Sequence, residues 1–362
     1  MLLYKPDWEE TRRRFAAWWA GEYFGRCAIA VCAPRADAAG LQPPPVPVRL
    51  EDRWLDRGYL RAWNEHQMRS TFFGGEALPV WKPGGYPGWA FHPCFLGAKV
   101  TLDETTGWVH PLLDKGRLSD HDPRRLVLRT DNHWWRMARE MMRLAVGESR
   151  GKGIPSIGAF GGSGDTLAAL RGTEQLLYDI ADCPECVREF DLYLMRQWIE
   201  IYNTLYGIMR EEDEGSTCWC ELWSPGKFYA CQNDFSYMIS TRTYRDVFLP
   251  SLELQTQFLD HCVFHVDGVA AFAHLDLLLE LPRLQAFQII PGAGKPSPLH
   301  YLDVLKRIQA AGRNLQLYLP AGEVRAALEN LSARGLFICT SCAGEAEARA
   351  LLRDCEELSV DR

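Results

Sequence analysis

The feature that most constrains the fold is an alternation of short apolar runs and amphipathic helical segments between residues 154 and 353. This alternation indicates parallel strands joined by helical crossovers. The predicted strands cover residues 154–160, 217–222, 262–264, 284–290, 315–319 and 336–338. The repeating units are numerous enough for an eight-stranded barrel, and we predict an α/β fold of the (β/α)8 TIM-barrel type.

A long amphipathic helix is predicted to begin near Pro184. Apolar residues recur at steps of three and four from Val187 to Ile208, and Asp182-Cys183-Pro184-Glu185 is a typical helix start. A helix N-terminus lowers the pKa of a thiol, so Cys183 can be read as redox-active. The capping pattern alone also explains the segment, which favours a structural role for Cys183 and Cys186.

The first 130 residues lack the regular alternation of strands and helices that is predicted for the remainder of the chain. They comprise a predicted helix over residues 11–25, a strand over 27–32 and a long irregular segment, 35–130, rich in Pro, Gly and Trp. A long irregular segment inside a compact chain is typical of a functional insertion. We therefore predict one structural domain with an N-terminal elaboration over the barrel mouth. Residues 1–130 comprise a helix, the first strand and the lid-like insertion 35–130, and residues 131–362 form the remainder of the barrel.

Charge and hydropathy narrow the class of partner. The net charge of −7 argues against binding to nucleic acid or to anionic membranes. No apolar run approaches the roughly 20 residues needed to cross a bilayer. The N-terminus becomes polar at once, unlike a signal peptide. We therefore expect a cytoplasmic protein whose 12 cysteines are reduced.

Metal-binding residue types follow two of the predicted strands. His265 and Asp267 come directly after the strand at 262–264, and Cys342 follows the strand at 336–338. The carboxyl ends of barrel strands meet at one face, so an imidazole, a carboxylate and a thiolate can converge there. Three such ligands with a fourth position open are typical of catalytic zinc. The alternative is a hydrogen-bonded His265–Asp267 pair and a merely buried Cys342.

Other polar residues near the same predicted face are candidates for substrate contacts. Glu221 lies between two tryptophans on the strand at 217–222, where it could serve as a further ligand or as a general acid. Asp234 and Gln288 lie near predicted strand or loop ends and are candidates for hydrogen bonds to a polar substrate. Asp165, which follows the glycine turn at 161–164, is interpreted as a helix cap.

The order of segments resembles the uroporphyrinogen decarboxylase superfamily over about residues 130–355. The resembling segments are 161–172, Asp182-Cys183-Pro184-Glu185-Cys186-Val187, Asp234-Phe235 with Met238-Ile239-Ser240, and Phe248-Leu249-Pro250 leading to His265. Zinc-dependent methyltransferases of that superfamily carry His-x-Cys, then a gap in the seventies, then Cys. Here His265-Val266-Asp267 precedes Cys342 by 74 residues, and Asp267 stands where that motif has Cys.

The resemblance implies a methyltransferase component that moves a methyl group between a small methylated compound or thiol and a corrinoid protein. It implies zinc held by His265, Asp267 and Cys342. The chain lacks the Asp-x-His-x-x-Gly motif of a cobalamin-binding domain, so the corrinoid would arrive on a separate partner. One alternative is a metal-free decarboxylase of a carboxylated aromatic or tetrapyrrole, using Arg26, Arg35 and Arg171. The other is a non-enzymatic binder of a methylated metabolite.

Overall fold

The structure is a computed structural model that describes residues 1–38, 40–84, 90–113, 115–210 and 215–362. The strands are β1 (Ala28–Pro34), β2 (Thr71–Gly75), β3 (Val80–Trp81), β4 (Val100–Leu102), β5 (Gly107–Val109), β6 (Ile154–Pro155), β7 (Ser216–Thr217), β8 (Trp223–Ser224), β9 (Phe228–Gln232), β10 (His261–Asp267), β11 (Ala286–Ile290), β12 (Asn314–Tyr318) and β13 (Leu336–Ser341). The helices are α1 (Trp8–Trp19), α2 (Leu50–Leu55), α3 (Arg57–Ser70), α4 (His92–Phe95), α5 (His133–Ser149), α6 (Ser163–Arg171), α7 (Thr173–Asp182), α8 (Pro184–Met209), α9 (Thr241–Thr243), α10 (Leu249–Phe258), α11 (Leu275–Leu279), α12 (Leu302–Ala310), α13 (Val324–Asn330) and α14 (Glu345–Leu358).

A seven-stranded, mostly parallel sheet forms the centre of the molecule. Its strand order is β2-β1-β13-β12-β11-β10-β9, and only β2 runs antiparallel to its neighbour. Helices α11, α12 and α13 connect successive parallel strands, as the alternating sequence pattern predicts. The α/β class with a central parallel sheet is therefore confirmed. His265 of β10, Gln288 of β11 and Gln316 of β12 lie in register across this sheet.

The remaining short strands form separate pairs. Strand β3 pairs in parallel with β6, β7 pairs antiparallel with β8, and a parallel bridge joins Ile157 to Cys218. Within the described ranges, no ladder joins the β3–β6 pair to the seven-stranded sheet. Closure of the sheet into a (β/α)8 barrel therefore stays a prediction.

The N-terminal helix α1 covers the amino ends of the parallel strands. The Trp18 indole donates to the carbonyl oxygen of Gly335, which directly precedes β13 (3.0 Å), and Asn314, the first residue of β12, donates to the Trp18 carbonyl. Trp19 packs against Phe228, the first residue of β9 (ring centroids 5.3 Å apart). The aromatic face of α1 therefore lies at the end of the sheet opposite to the carboxyl ends of the strands, where the lid-like insertion is predicted.

Several predicted elements are shorter in the structure. The predicted strand at 217–222 contains only β7, because the chain turns at 218–221 and Glu221 adopts a left-handed conformation (φ 60°). The predicted strand at 154–160 contains only β6. A π-helical turn, Tyr244–Phe248, lies directly before α10, whose second residue is Pro250. Among the helices that the structure describes, none has both the length and the apolar character needed to cross a membrane.

The expectation that every cysteine is reduced is wrong for two of them. A disulfide joins Cys183 to Cys186 at the start of α8. The other ten cysteines are free, and nine of those are buried.

Candidate metal centre

Three metal-binding side chains lie together at the carboxyl ends of β9 and β10. One ligand atom each of Asp234, His265 and Asp267 lies within 4.8 Å of the others. His265 and Asp267 point to the same face of β10 because side chains alternate along a strand. Asp234 follows the end of the neighbouring strand β9 by two residues. One imidazole and two carboxylates thus converge where parallel strands end, which is where ligand sites form in such sheets.

A chain of side-chain amides fixes the tautomer of His265. The Cys220 carbonyl oxygen can only accept, so the Gln316 amide nitrogen must donate to it (2.9 Å). The Gln316 oxygen then accepts from Gln288 (2.8 Å), and the Gln288 oxygen must accept from Nδ1 of His265 (2.5 Å). His265 therefore carries its proton on Nδ1 and keeps the lone pair on Nε2. An imidazole held in this way is pre-organised to bind a metal ion.

The charges in this cluster favour a cation. Burial lowers the pKa of His265, so its ring is neutral near pH 7 and its lone pair is available. Asp234 contacts solvent on one side, but protein surrounds the remainder of its carboxylate. This partial removal from water, with the nearby carboxylates of Asp165 and Asp267, raises the pKa of Asp234 to about 8. A divalent ion would replace that proton and compensate the negative charge.

Asp165 supports the cluster from the first turn of α6. Its carboxylate accepts a hydrogen bond from the Phe235 amide (2.8 Å) and another from the Gln232 side chain (3.1 Å). The same Gln232 amide also donates to Asp234 (3.4 Å). The helix-cap interpretation of Asp165 is wrong, because α6 already begins at Ser163 and the N-cap is Gly162. Asp165 instead orders the backbone that carries Asp234.

Gln288 and Asp234 lie beside His265, and their predicted contacts with a polar substrate stay a prediction. Gln288 is buried and bonded on both sides, to His265 and to Gln316, so it lies behind the His265 ring. Asp234 lies within the ligand cluster itself. Trp219 was seen in the sequence only as a neighbour of Glu221, and its ring packs edge-on against His265 (centroids 5.0 Å apart).

Glu221 lies outside the cluster. Its carboxylate pairs with Lys82 (2.8 Å) at the wall of a cavity of about 630 Å³. This cavity is bordered by Cys32 in the carboxyl-terminal half of β1 and by Trp54 and Trp63 of the segment predicted as a lid. Part of the 35–130 segment therefore lies beside the carboxyl ends of the strands, whereas motion of this segment stays a prediction.

Cys342 does not complete the predicted triad. The ligand atoms of His265, Asp267 and Cys342 do not form a mutual group within 4.8 Å, and Asp234 takes the third place. The Cys342 amide donates to the Cys32 carbonyl of β1 (2.9 Å), which ties the residue to the other side of β13. Burial and the nearby Glu347 carboxylate raise the pKa of the Cys342 thiol, so the thiol form is favoured.

The donor set fits a divalent metal ion. A neutral imidazole and two carboxylates are ligands that zinc takes in catalytic sites, with a further position open. Without thiolate, the set also suits other divalent ions of borderline character. Comparison with known protein families finds no family model that matches the chain, and comparison with curated proteins finds no significant match. The argument for a metal therefore rests on the geometry of the cluster.

Replacing Gln288 with leucine tests the support of His265. Leucine fills a similar volume but cannot accept from Nδ1, so the ring loses the contact that fixes its tautomer. We expect metal affinity to fall by about 10- to 100-fold, measured by competition with a chromophoric chelator. Gln309→Leu is the matched control, because Gln309 donates to the Ser332 carbonyl far along the chain from the cluster (2.8 Å). Equal affinity in both variants would contradict the role given to Gln288.

A second buried carboxylate behind the glycine turn predicts pH-dependent stability. Asp191 of α8 is fully buried and accepts hydrogen bonds from the hydroxyls of Ser163 and Ser251. Burial, together with the nearby charge of Asp165, raises the pKa of Asp191 to about 7. The folded protein therefore holds a proton that the unfolded chain releases near pH 4.

Because the folded state binds the extra proton, stability is greatest at low pH and is lost as pH rises through about 7. From about pH 5.5 to about pH 7 the free energy of unfolding should fall by about 2 kcal/mol through Asp191 alone. Asp191→Asn, which cannot ionise, should lack this component in urea titrations at both pH values. Identical pH slopes for the two proteins would contradict the assignment.

Proposed function

We propose that this chain is a metal-dependent methyltransferase component with zinc bound by Asp234, His265 and Asp267. It would move a methyl group between a small methylated compound or thiol and a separate corrinoid protein. The cluster at the carboxyl ends of β9 and β10 is the observation that carries the metal site. The methyl chemistry and the corrinoid partner rest on the sequence resemblance. The proposal includes closure of the parallel sheet into a (β/α)8 barrel and a cytoplasmic location.

The residues of the chain would divide the work as follows. Asp234, His265 and Asp267 hold the ion, and Gln288 with Gln316 keeps the His265 lone pair directed outward. A bound zinc ion would lower the pKa of a substrate thiol or polarise a substrate heteroatom. Trp219 beside His265 limits the access of water to one side of the site. Glu221, at the wall of the 630 Å³ cavity and outside the ligand cluster, remains a candidate for contact with a polar group of the substrate.

The positions of three arginines disfavour a metal-free decarboxylase. Such an enzyme needs cationic groups free to bind substrate carboxylates. Arg26 is buried against Glu76 (2.7 Å), Arg171 is buried against Asp179 (2.5 Å), and Arg35 pairs with Asp37 (2.7 Å). All three candidates are therefore engaged by carboxylates of the chain itself.

The proposed function is tested with the purified full-length chain. We expect about one divalent ion per chain by elemental analysis, because the part of the chain that the structure describes holds one cluster of histidine and carboxylate ligands. The metal-loaded protein is then mixed with methylcobalamin and small thiols, and loss of the methyl–cobalt absorbance is followed. The thiolate would take the methyl group as a methyl cation equivalent, leaving both electrons of the broken bond on cobalt. A folded, metal-free protein would contradict the proposal, and metal-loaded protein that binds thiols without turnover would favour the non-enzymatic binder.

A further inference from the structure

The start of α8 carries a pair of cysteines that the proposed function does not use. Cys183 and Cys186 are joined by a disulfide, and both are partly exposed. No other disulfide occurs in the ranges that the structure describes. Cys183 is the N-cap residue of the helix, Pro184 is its first residue, and Cys186 lies in its first turn.

This bridge does little to hold the fold. It closes a loop of only three residues' separation, and short loops remove the least entropy from an unfolded chain. The helix start is held without it, since the amides of Cys186 and Val187 both donate to the Cys183 carbonyl (3.1 and 3.2 Å). The Cys183 amide in turn donates to the backbone carbonyl oxygen of Asp179 in α7 (2.8 Å). The Asp179 side chain is itself held by an ion pair with Arg171. A structural role therefore leaves the disulfide unexplained.

The two sulfurs are placed for exchange chemistry. Cys183 lies just outside the helix, where an external thiolate can reach its sulfur. Attack there expels the sulfur of Cys186, which lies in the first helical turn, where the helix dipole stabilises a thiolate. A stabilised thiolate is the better leaving group in thiol–disulfide exchange. Disulfides are rare in a reducing compartment, and those that do occur there are usually transient and catalytic or redox-sensing.

We propose that Cys183 and Cys186 form a thiol–disulfide exchange site for a thiol of the glutathione class. A glutathione thiolate attacks the Cys183 sulfur, a mixed disulfide forms, and the Cys183–Cys186 bond breaks to give the Cys186 thiolate. A second glutathione attacks the mixed disulfide and releases oxidised glutathione and the Cys183 thiol. The protein gains two electrons and two protons, and two glutathione molecules lose them. This site is independent of the metal centre.

The test uses the full-length protein in buffers with different ratios of reduced to oxidised glutathione, with a chelator present. Exchange is stopped with acid, the protein is unfolded, and free thiols are alkylated and counted by intact mass. We expect ten labelled cysteines in the oxidised form and all 12 in the reduced form, interconverting reversibly as the ratio changes. Peptide mapping should assign the two extra labels to Cys183 and Cys186. Ten labels at every ratio, or 12 at every ratio, would overturn the proposal.

Single variants test the order of attack. Cys186→Ser should leave Cys183 able to hold one glutathione as a mixed disulfide, seen as a single added glutathione in the intact mass. Cys32, the one other partly exposed cysteine, provides the internal control and should remain free in the same peptide map. If Cys186→Ser fails to fold, the titration of the wild-type protein decides alone. Neither result depends on metal content, so failure here leaves the proposed function intact.

Discussion

Replacing His265 with alanine should lower the affinity for a divalent ion by more than about 100-fold, beyond the loss typical of a supporting residue. The substitution removes the only nitrogen ligand and leaves two carboxylates that repel each other. Asp234 would then keep its proton near neutral pH, since burial and neighbouring carboxylates already raise its pKa to about 8. Calorimetric titration of metal-free protein with zinc measures the change.

The control for this variant is His300→Ala, which removes an exposed histidine from a short 3-10 turn before α12. It should bind zinc as the wild type does. An unchanged affinity in His265→Ala, with the fold intact by near-ultraviolet circular dichroism, would place the ion elsewhere or exclude it.

Replacing Glu76 with alanine should destabilise the protein by about 3–5 kcal/mol. The Glu76 carboxylate is fully buried, accepts two hydrogen bonds from Arg26 (2.7 and 2.9 Å), and accepts a third from the Ile29 amide of β1 (2.7 Å). Alanine would leave the Arg26 guanidinium buried without its counter-ion and an amide without its acceptor. Urea unfolding at constant pH measures the loss.

Asp37→Ala provides the comparison, because it breaks the exposed pair with Arg35. Solvent screens such a pair, so little change in unfolding free energy is expected. The double variant Glu76→Ala with Arg26→Met should recover part of the loss, since it removes the unpaired charge as well. A loss in Glu76→Ala no larger than that in Asp37→Ala would show that the pair contributes no more than a surface contact.

The strand–helix order was predictable from the sequence because periodicity reports burial directly. From β10 to β13 every predicted strand appears in the structure, and β10 extends through His265 to Asp267, beyond its predicted end at residue 264. The two glutamines that support His265, Gln288 and Gln316, were harder to predict from the sequence. Gln288 was noticed, but its bond to His265 depends on the register of β10 against β11, which the sequence does not display. Gln316 was missed because a single polar residue in an otherwise apolar strand gives no sign of the partner that it contacts.

The errors of interpretation have a common physical origin in local backbone geometry. Residues 217–222 have the apolar character of a strand, yet the chain turns within them and directs Glu221 toward Lys82. Spacing matched Cys342 to a known motif, but the side chain that joins His265 and Asp267 is Asp234, which follows the end of the adjacent strand β9. Likewise, the aromatic face of α1 predicted burial but not which end of the sheet it covers.

The most direct test of the metal centre compares Asp234→Ala with Cys342→Ala in zinc titrations of metal-free protein. The structure predicts that wild type and Cys342→Ala bind one ion per chain with similar affinity, whereas Asp234→Ala binds at least about 10-fold more weakly. Cobalt(II) in place of zinc should show no thiolate-to-metal absorbance in the wild type. Loss of binding in Cys342→Ala with retention in Asp234→Ala would contradict the assignment.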